Sequence, residues 1–254
     1  MRHRVPARRR SAAPGAAQLS CQDRPPPRTE GCEPIWECAM DTDLMLRVYP
    51  FFLQAAGTTI LLSVLTALLG LACGTLGAAA RLSRFALARF LGAAYVSVFR
   101  GTPALIQLFI LYFGGPQIGI QLDAFEAGVI GLGINAGAYM TETIRGAIIS
   151  IDKGQQEAAR TLGLSRWQAM YKIILPQAAR LMVRPLGVNL NMLIKATALV
   201  AAISVVELTY TAQRYIGSTY KPFEMFLLAG ILYMIIIYAT GRAVAWLDRK
   251  VQIV

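Results

Sequence analysis

The stretch DKGQQEAARTLGLSRWQAMYKIILP, residues 152–176, is the one long polar interruption in the middle of an otherwise apolar chain. It predicts two short helices joined by a turn. Asp152 and Ser165 can each cap one helix, in a capping box with the glutamine three residues later. Gly163 supplies the left-handed turn between them. We therefore expect a structured helix–turn–helix that a partner can contact.

Along the second predicted helix, apolar residues recur three and four positions apart, which is typical of an amphipathic helix. These residues are Trp167, Met170, Tyr171 and Ile174. Arg166 and Lys172 lie off this stripe. The second helix is thus expected to present one apolar face.

The composition of the chain indicates a membrane protein. Of its 254 residues, 56% are hydrophobic and 15% are charged, whereas soluble domains carry about 25% charged residues. A net charge of +11 could indicate nucleic-acid binding, but the basic residues punctuate apolar runs. We therefore expect the lipid bilayer, and no nucleic acid, as a partner.

Long runs with few charges predict five membrane-spanning helices, since one crossing needs about 20 apolar residues. No charge occurs between Arg47 and Arg81, and a single one occurs in each of two further runs. The predicted spans are 51–80, 90–113, 124–149, 183–206 and 223–245. The predicted fold is all-α: a polytopic helical bundle over residues 43–254 with a cytoplasmic coupling helix–turn–helix.

The distribution of basic residues predicts the orientation, because positive loops stay in the cytoplasm. Basic residues concentrate in 81–89, 153–184 and 242–250. The intervening loops, 114–125 and 210–222, contain few. The N-terminus is therefore expected outside and the C-terminus in the cytoplasm.

Residues 1–42 do not fit this scheme, and their composition predicts a disordered tail. They contain seven arginines and a Pro25-Pro26-Pro27 run but no apolar stretch, which excludes a secretory signal. Either the tail is genuine or translation begins at Met40. We favour Met40, because seven arginines outside would violate the charge rule. The three cysteines of the tail lack metal-ligand spacing and are expected to be unpaired thiols.

Several motifs resemble those of ABC-importer permeases. Glu157-Ala158-Ala159, Gly163 and Ile174-Leu175-Pro176 resemble the EAA loop, the segment that docks into the ATPase subunit. FRGTP at 99–103, Gly154-Gln155, Lys195-x-Thr197 and Glu207-Leu208-Thr209 resemble the polar amino-acid branch of that family. The resemblance extends over roughly residues 50–250.

The resemblance implies a pore-forming transport subunit of a bacterial inner membrane. Its ATPase-coupling residues would be Gln155, Glu157, Ala158, Ala159, Gly163 and Pro176. The implied partners are two ABC ATPase subunits, a second permease subunit, identical or different, and an extracytoplasmic solute-binding protein. ATP and Mg²⁺ would bind to the ATPase, since this chain has no G-x4-G-K-[ST] loop. With His3 as the sole histidine, we expect no catalytic residue, metal or cofactor in this chain.

Polar residues inside the predicted spans mark a candidate translocation path. A charge such as Arg100 costs at least about 2.5 kcal/mol at the bilayer centre, so it needs water, a carboxylate or carbonyl groups. Pro103 bends its helix and exposes polar backbone. Glu142 could pair with Arg100 or Arg145, and both an internal ion pair and a substrate contact stay open. The candidate path residues are Arg100, Thr102, Pro103, Asn135, Tyr139, Glu142, Asn191, Lys195 and Thr197.

The last part of the chain is expected to lie outside the path. Glu207 and Arg214 are placed in an outward-facing amphipathic segment, and the fifth span is a lipid-facing wall without polar residues at its centre. Members of the resembled family commonly carry an acidic or amide residue and then serine where this chain has Ala196 and Ala198. These departures weaken the transfer of substrate contacts to this site.

Two other functions compete with ATP-driven import of a polar amino acid or similar zwitterion. A secondary transporter or channel driven by an ion gradient often has two related halves with broken helices, and no such repeat is present. The helix–turn–helix would also be superfluous in such a carrier. A structural scaffold would not explain Arg100, Glu142 and Lys195 within the spans. The sequence does not name the solute.

Overall fold

A computed structural model describes residues 41–252, and the expectations for residues 1–40, including a translation start at Met40, lie outside this part of the chain. Residues 41–252 form helices joined by short turns and contain no strand, so the all-α prediction is confirmed. The helices are α1 Thr42–Leu82, α2 Ala86–Gly101, α3 Ala104–Phe109, α4 Ala124–Ile149, α5 Lys153–Thr161, α6 Arg166–Ala169, α7 Leu175–Ala196, α8 Leu208–Thr219 and α9 Pro222–Gln252.

Helix α1 packs closely along α4 through small residues. A Cβ added to Gly70 would lie 3.3 Å from the Cβ of Ala136, and one on Gly74 would lie 2.7 Å from that of Met140. Thr141 bridges the two helices, because its Oγ1 lies 3.3 Å from the carbonyl oxygen of Gly74. Gly70 and Gly74, four positions apart on α1, permit this close approach of the two helix backbones. Residues later in α1 contact residues later in α4, so the two helices run in the same direction.

The second predicted span is broken in the middle. Helix α2 ends at Gly101 and α3 begins at Ala104, with an angle of 103° between the two halves. Pro103 lacks a backbone N–H and disfavours helical backbone at Thr102, which is extended at φ −121° and ψ 146°. The expectation of one bent helix over 90–113 is therefore wrong, since Pro103 ends α2. After α3, a π-helical turn and a 3₁₀ turn carry the chain to Ile118.

The remaining long helices alternate in direction. Helix α4 has the bounds predicted for the third span, and a capping box of Asp123 and Glu126 begins it. Helix α7 runs antiparallel to α4 and continues through a 3₁₀ turn over Thr197–Ile203. Helix α9 runs antiparallel to α7. The segment at 152–176, which we call the docking hairpin, thus defines one end of the bundle, the hairpin end.

An ion pair joins two helix starts at the opposite end of the bundle. Asp41 caps α1 by accepting a hydrogen bond from the Leu44 backbone N–H at 2.9 Å. The Lys221 ammonium, just before α9, donates to the other Asp41 oxygen at 2.6 Å. The Lys221 ammonium lowers the pKa of the Asp41 carboxyl, and the Leu44 N–H lowers it further. The starts of α1 and α9 are therefore held together.

Among residues 41–252, three helical runs are long and apolar enough to cross a membrane: Thr42–Leu82, Arg166–Ile203 and Pro222–Val251. The broken pair α2–α3 makes a fourth if it counts as one span. Helix α4 is not among them, because its many glycines and its polar residues reduce its apolar character. The number of five spans therefore stays a prediction.

Buried apolar residues form three clusters along the bundle, and helix packing in lipid depends on such van der Waals contact. The cluster far from the hairpin joins α1, α8 and α9 through residues that include Phe52, Leu208 and Met225. The central cluster joins α1, α3, α4 and α7 through Leu62, Leu108, Leu132 and Leu193. The cluster at the hairpin end contains Ala78, Ile144, Ala178 and Met182.

Candidate functional site

The first helix of the docking hairpin is α5. Asp152 caps it by accepting a hydrogen bond from the Gly154 backbone N–H at 2.6 Å. The capping box predicted with Gln155 does not form. Instead, the Gln155 side-chain oxygen accepts a hydrogen bond at 3.3 Å from the amide of Gln177 in α7. This side chain therefore links α5 to α7 rather than closing its own helix start.

Gly163 ends the first helix as predicted, with φ at +75°. The backbone N–H of Gly163 donates to the carbonyl of Arg160 at 2.9 Å, and that of Leu164 donates to Ala159 at 3.0 Å. These bonds satisfy carbonyls that the end of the helix leaves open. Apart from the two chain neighbours of Gly163, no residue among 41–252 has an atom within 4 Å of a Cβ added there, so backbone conformation rather than space favours glycine here.

The second helix of the hairpin continues into the bundle. The Ser165–Gln168 capping box is present and begins α6. A π-helical turn over Met170–Ile174 then joins α6 to α7 without a break. Pro176 lies in the first turn of α7, and the wider π turn accommodates its missing N–H. The prediction of a short second helix is therefore wrong, because the run extends from Arg166 to Ile203.

The residues of the predicted apolar stripe divide between a buried and an exposed side of the helix. Ile174 is buried and Met170 half-buried on the side that faces α5, whereas Trp167 is 85% and Tyr171 74% exposed. On α5, Ala159 is buried while its neighbours Glu157 and Ala158 are exposed. The hairpin therefore holds itself together with its inner residues and presents two large aromatic rings outward.

A cavity of about 140 Å³ lies between α4 and α7 in the bundle. It brings together Asn135 and Tyr139, two of the predicted path residues. Asn189 of α7, which the candidate path does not include, lies on the opposite wall and donates to Thr143 Oγ1 at 2.8 Å. The remaining lining residues are Leu132, Ala136, Met192, Leu193 and Ala196. The cavity thus combines apolar walls with two amides and a phenol.

Asn135 connects this cavity to the break after α2. Its Nδ2 donates to the Phe99 carbonyl at 2.9 Å and to the Gln107 Oε1 at 3.0 Å. Gln107 in turn donates from Nε2 to Thr102 Oγ1 at 2.6 Å. The bond to Phe99 satisfies the carbonyl that Pro103, four residues later, leaves without an N–H partner. The candidate path lacks Gln107, although its position four residues after Pro103 in an apolar run could have indicated it.

The charged residues of the predicted path are separated. The Arg100 guanidinium lies 5.1 Å from the centre of the Tyr139 ring, a cation–π contact. Glu142 accepts hydrogen bonds from Arg145 at 2.9 and 2.6 Å and from Arg81 of α1 at 3.3 Å. Of the two partners predicted for Glu142, Arg145 is therefore correct and Arg100 is not. Arg81, 61 positions earlier in the sequence, was missed.

Three predicted path residues lie away from the cavity. Asn191 lines a separate groove between α7 and α9, and its Oδ1 is buried without a hydrogen-bond partner among the described residues. Lys195 is exposed. Thr197 is fully buried and donates to the Ile194 carbonyl at 2.6 Å. None of the three is brought to the wall that Asn135 and Tyr139 form.

Glu207 is enclosed within the bundle, while the outward-facing position of its segment stays a prediction. It is fully buried, caps α8 by accepting from the Tyr210 backbone N–H at 2.8 Å, and accepts from the Tyr233 hydroxyl at 2.6 Å. Tyr233 belongs to α9, so the fifth predicted span has a polar contact near its centre. Its Leu228 and Leu232 are buried, which corrects the expectation of a purely lipid-facing wall.

Within residues 41–252, no group of three or more histidine, cysteine, aspartate or glutamate side chains could hold a metal ion. The chemistry of the site is therefore described by its amides, hydroxyls, aromatic rings and arginines. These groups donate and accept hydrogen bonds next to the apolar wall of the cavity. Such an arrangement suits a polar solute or a helix junction.

Comparison with known proteins bears on what this arrangement does. YckA of Bacillus subtilis (strain 168), a probable amino-acid ABC transporter permease, is 42% identical over 198 residues, or 78% of this chain and 88% of that protein. GlnP, the glutamine transport system permease of Escherichia coli (strain K12), is 36% identical over 206 residues, or 80% and 94%.

A solved amino acid ABC transporter, crystallised with histidines, shares the fold. Its chain has a TM-score of 0.78 and 32% sequence identity, with coverage of 83% of this chain and 98% of that one. Residues 70–253 match the family described as "Binding-protein-dependent transport system inner membrane component". The resemblance drawn from the EAA-like motif is thereby confirmed. The chain belongs to the family of binding-protein-dependent transport system inner membrane components.

Proposed function

We propose that this chain is the permease subunit of an ABC importer that moves a polar amino acid, or a similar zwitterion, into the cell. The observation that carries the proposal is the unbroken helical run from Arg166 to Ile203. One end of this run is the exposed face of the docking hairpin, and Asn189 and Met192 further along it line the cavity. One rigid element therefore joins a partner surface to a polar cavity.

Movement at the hairpin would reach the cavity through this run. From Trp167 to Asn189 the helix spans roughly 33 Å at 1.5 Å per residue. A partner that pulls the hairpin inward would tilt α7 and change the gap between α7 and α4. Only a partner whose contacts differ between two states can drive such a change. ATP binding and hydrolysis on a separate ATPase chain would supply that difference.

The surface of the hairpin supports an ATPase as this partner. Trp167 and Tyr171 offer large apolar contacts, and Glu157 adds an exposed charge on α5. Large aromatic residues dominate the energetics of many protein interfaces. In the complete transporter, we expect two ATPase subunits, a second permease and an extracytoplasmic binding protein. ATP and Mg²⁺ would be held by the ATPase.

The cavity supports a polar solute. Asn135 and Asn189 can donate and accept hydrogen bonds, and the Tyr139 ring lies under the Arg100 guanidinium. The carboxylate of Glu142 is already paired with two arginines, so it leaves no free negative charge beside the cavity. We infer that Arg100, Asn135 and Tyr139 contact the solute, whereas Glu142 holds helices together.

The basic hairpin end favours a cytoplasmic position for the docking hairpin in the bacterial inner membrane, with the C-terminus on the same side. Proteoliposomes test the proposal. The purified chain, reconstituted with its ATPase and binding protein, should take up labelled amino acid when ATP is present on the hairpin side. Uptake driven by a sodium or proton gradient without ATP would instead indicate a secondary transporter.

A further inference from the structure

We propose that the groove between α7 and α9 at the hairpin end of the bundle binds the headgroup of an anionic phospholipid. The groove has a volume of about 430 Å³ and is distinct from the cavity between α4 and α7. Three arginines and one aspartate line it: Arg184, Arg242, Arg249 and Asp248. The four side chains leave two net positive charges in the groove.

The floor of the groove is well defined. Gly187 lets α9 approach α7, since a side chain there would collide with Val244. Arg184 donates from Nε to Asp248 Oδ2 at 2.7 Å, and the Asp248 side chain is buried. The Arg184 side chain nevertheless remains 74% exposed. Its terminal nitrogens are therefore open to a ligand while its Nε is held in place.

Arg242 and Arg249 supply the charge that a ligand would neutralise. Both are exposed, and neither forms an ion pair with a carboxylate among residues 41–252. A guanidinium group can bind a phosphate through two parallel hydrogen bonds. Three guanidinium groups around one groove thus match a phosphodiester anion.

The polarity of the groove changes along its length. Val188, in its wall, is 58% exposed. Further toward the middle of α9, Tyr238 and Met234 continue the face of Gly241 at three and seven positions and are 68% and 64% exposed. A phospholipid would use both parts, with its phosphate among the arginines and its acyl chains along the apolar face. A free phosphate ion would use the basic part alone.

Neighbouring residues place this groove at the depth of lipid headgroups. The run Pro222–Val251 is long and apolar enough to cross a membrane and ends beside the groove. Trp246 is 56% exposed, and the Lys250 ammonium lies 4.7 Å from the centre of its ring. Tryptophan is enriched at membrane interfaces, and basic pockets between helices there bind anionic headgroups.

The test compares lipid association with the permease, purified in complex with its ATPase and placed in phosphatidylcholine nanodiscs. Spin-labelled phosphatidylglycerol and spin-labelled phosphatidylcholine report the fraction of each lipid held by the protein. We expect the wild type to prefer phosphatidylglycerol. The Arg242→Gln/Arg249→Gln variant should lose roughly fivefold of that preference for each arginine removed. Arg184 is left intact, because its loss would leave Asp248 without this partner.

Arg47→Gln/Arg214→Gln is the matched control, since it removes two exposed arginines at the opposite end of the bundle. This variant should keep the wild-type preference. A wild type without preference, or an Arg242/Arg249 variant that keeps it in full, would overturn the proposal. So would an Arg242/Arg249 variant that keeps its lipid preference but loses the second permease copy, because the groove would then be a subunit interface.

Discussion

Glu142 connects α1 and α4 at the hairpin end of the bundle. It accepts two hydrogen bonds from Arg145 and one, longer, from Arg81. Because a hydrogen bond to a charged group contributes about 2 kcal/mol, Glu142→Gln should destabilise the permease by that order. Thermal unfolding in detergent should show a lower midpoint, with the KM for the solute unchanged.

Substitutions of Arg145 and Arg81 should lower the thermal unfolding midpoint by different amounts. Arg145→Gln removes two short bonds, at 2.9 and 2.6 Å, whereas Arg81→Gln removes one at 3.3 Å. Arg145→Gln should therefore lower the midpoint more than Arg81→Gln does. Asp43→Asn, which removes an exposed carboxylate from the first turn of α1, serves as the control. A Glu142→Gln variant with normal stability but altered solute preference would show instead that Glu142 contacts the solute.

Tyr139 offers a test of the cavity with a matched pair of substitutions. Tyr139→Phe keeps the aromatic ring under the Arg100 guanidinium, whereas Tyr139→Leu removes it. Since a cation–π contact contributes about 1 kcal/mol, Tyr139→Leu should release Arg100 and raise the KM for uptake roughly fivefold or more. Tyr139→Phe should change the KM much less. Equal KM values in both variants and the wild type would place the solute elsewhere.

Sequence periodicity predicted which residues share a helix face, but not which neighbouring helix packs against that face. Arg145 follows Glu142 by three positions, so the sequence could predict this pair. Arg81 belongs to another helix, so its contact with Glu142 could not be predicted in this way. Asn189 and Asn191 are two positions apart, which separates them by about 200° around α7. One therefore lines the cavity and the other the α9 groove. Without knowledge of which neighbour lies on each side, the prediction placed Asn191 in the path and left out Asn189.

At the scale of elements, the docking hairpin depends on its turn. Gly163 has φ +75° and open space around it, so Gly163→Ala should cost about 1 kcal/mol of turn strain and nothing from collision within this chain. Gly163→Asp also places a carboxylate at the turn. Both variants should insert normally, but Gly163→Asp should co-purify poorly with the ATPase and lose most uptake. Glu157→Lys, which reverses an exposed charge on α5, should behave likewise.

Gly146→Ala is the control for these substitutions. It is also a glycine with nothing within 4 Å of an added Cβ, but its φ is not positive. Alanine there should be neutral or slightly stabilising, since alanine has the higher helix propensity. Quantitative pull-down with the ATPase and ATP-dependent uptake give the readouts. Wild-type ATPase binding and uptake in both Gly163→Asp and Glu157→Lys would refute the coupling role of the hairpin.

Capping and turn residues correctly predicted those helix boundaries that depend on a single residue and its neighbouring backbone. Ser165 and Gly163 act as predicted, because a cap and a left-handed turn are satisfied by neighbouring backbone. The junction of α6 with α7 and the break at Pro103 were not predicted in full. Both depend on partners elsewhere, such as the Asn135 amide that satisfies the Phe99 carbonyl beside the break.

At the scale of the whole molecule, alternation of helix direction separates two ends. The ion pair of Asp41 and Lys221 lies at one end, and the pairs of Arg81 with Glu142 and of Arg184 with Asp248 lie at the other. The sequence anticipated this arrangement through its charge-poor runs. It could not anticipate the close fit of α1 on α4, since which helix receives a glycine face depends on the complete fold.

The orientation of the bundle in the membrane can be tested by cysteine labelling. Gly119 is an unsuitable site, because its φ of +84° strains any residue with a side chain. Gln117 is exposed in the same loop, at the end opposite the hairpin, and Lys153 is exposed on the hairpin. In a variant whose four native cysteines are replaced by alanine, Gln117→Cys should react with a membrane-impermeant maleimide added to intact spheroplasts.

Under the same conditions Lys153→Cys should stay unlabelled, because basic segments remain in the cytoplasm and the hairpin contains several lysines and arginines. Both cysteines should react once detergent opens the membrane, which controls for accessibility within the folded protein. Only an odd number of crossings between residues 117 and 153 allows this difference. Labelling of Lys153→Cys alone would reverse the orientation and place the docking hairpin beyond the reach of any cytoplasmic ATPase. Equal labelling of both would mean that α4 does not cross the membrane.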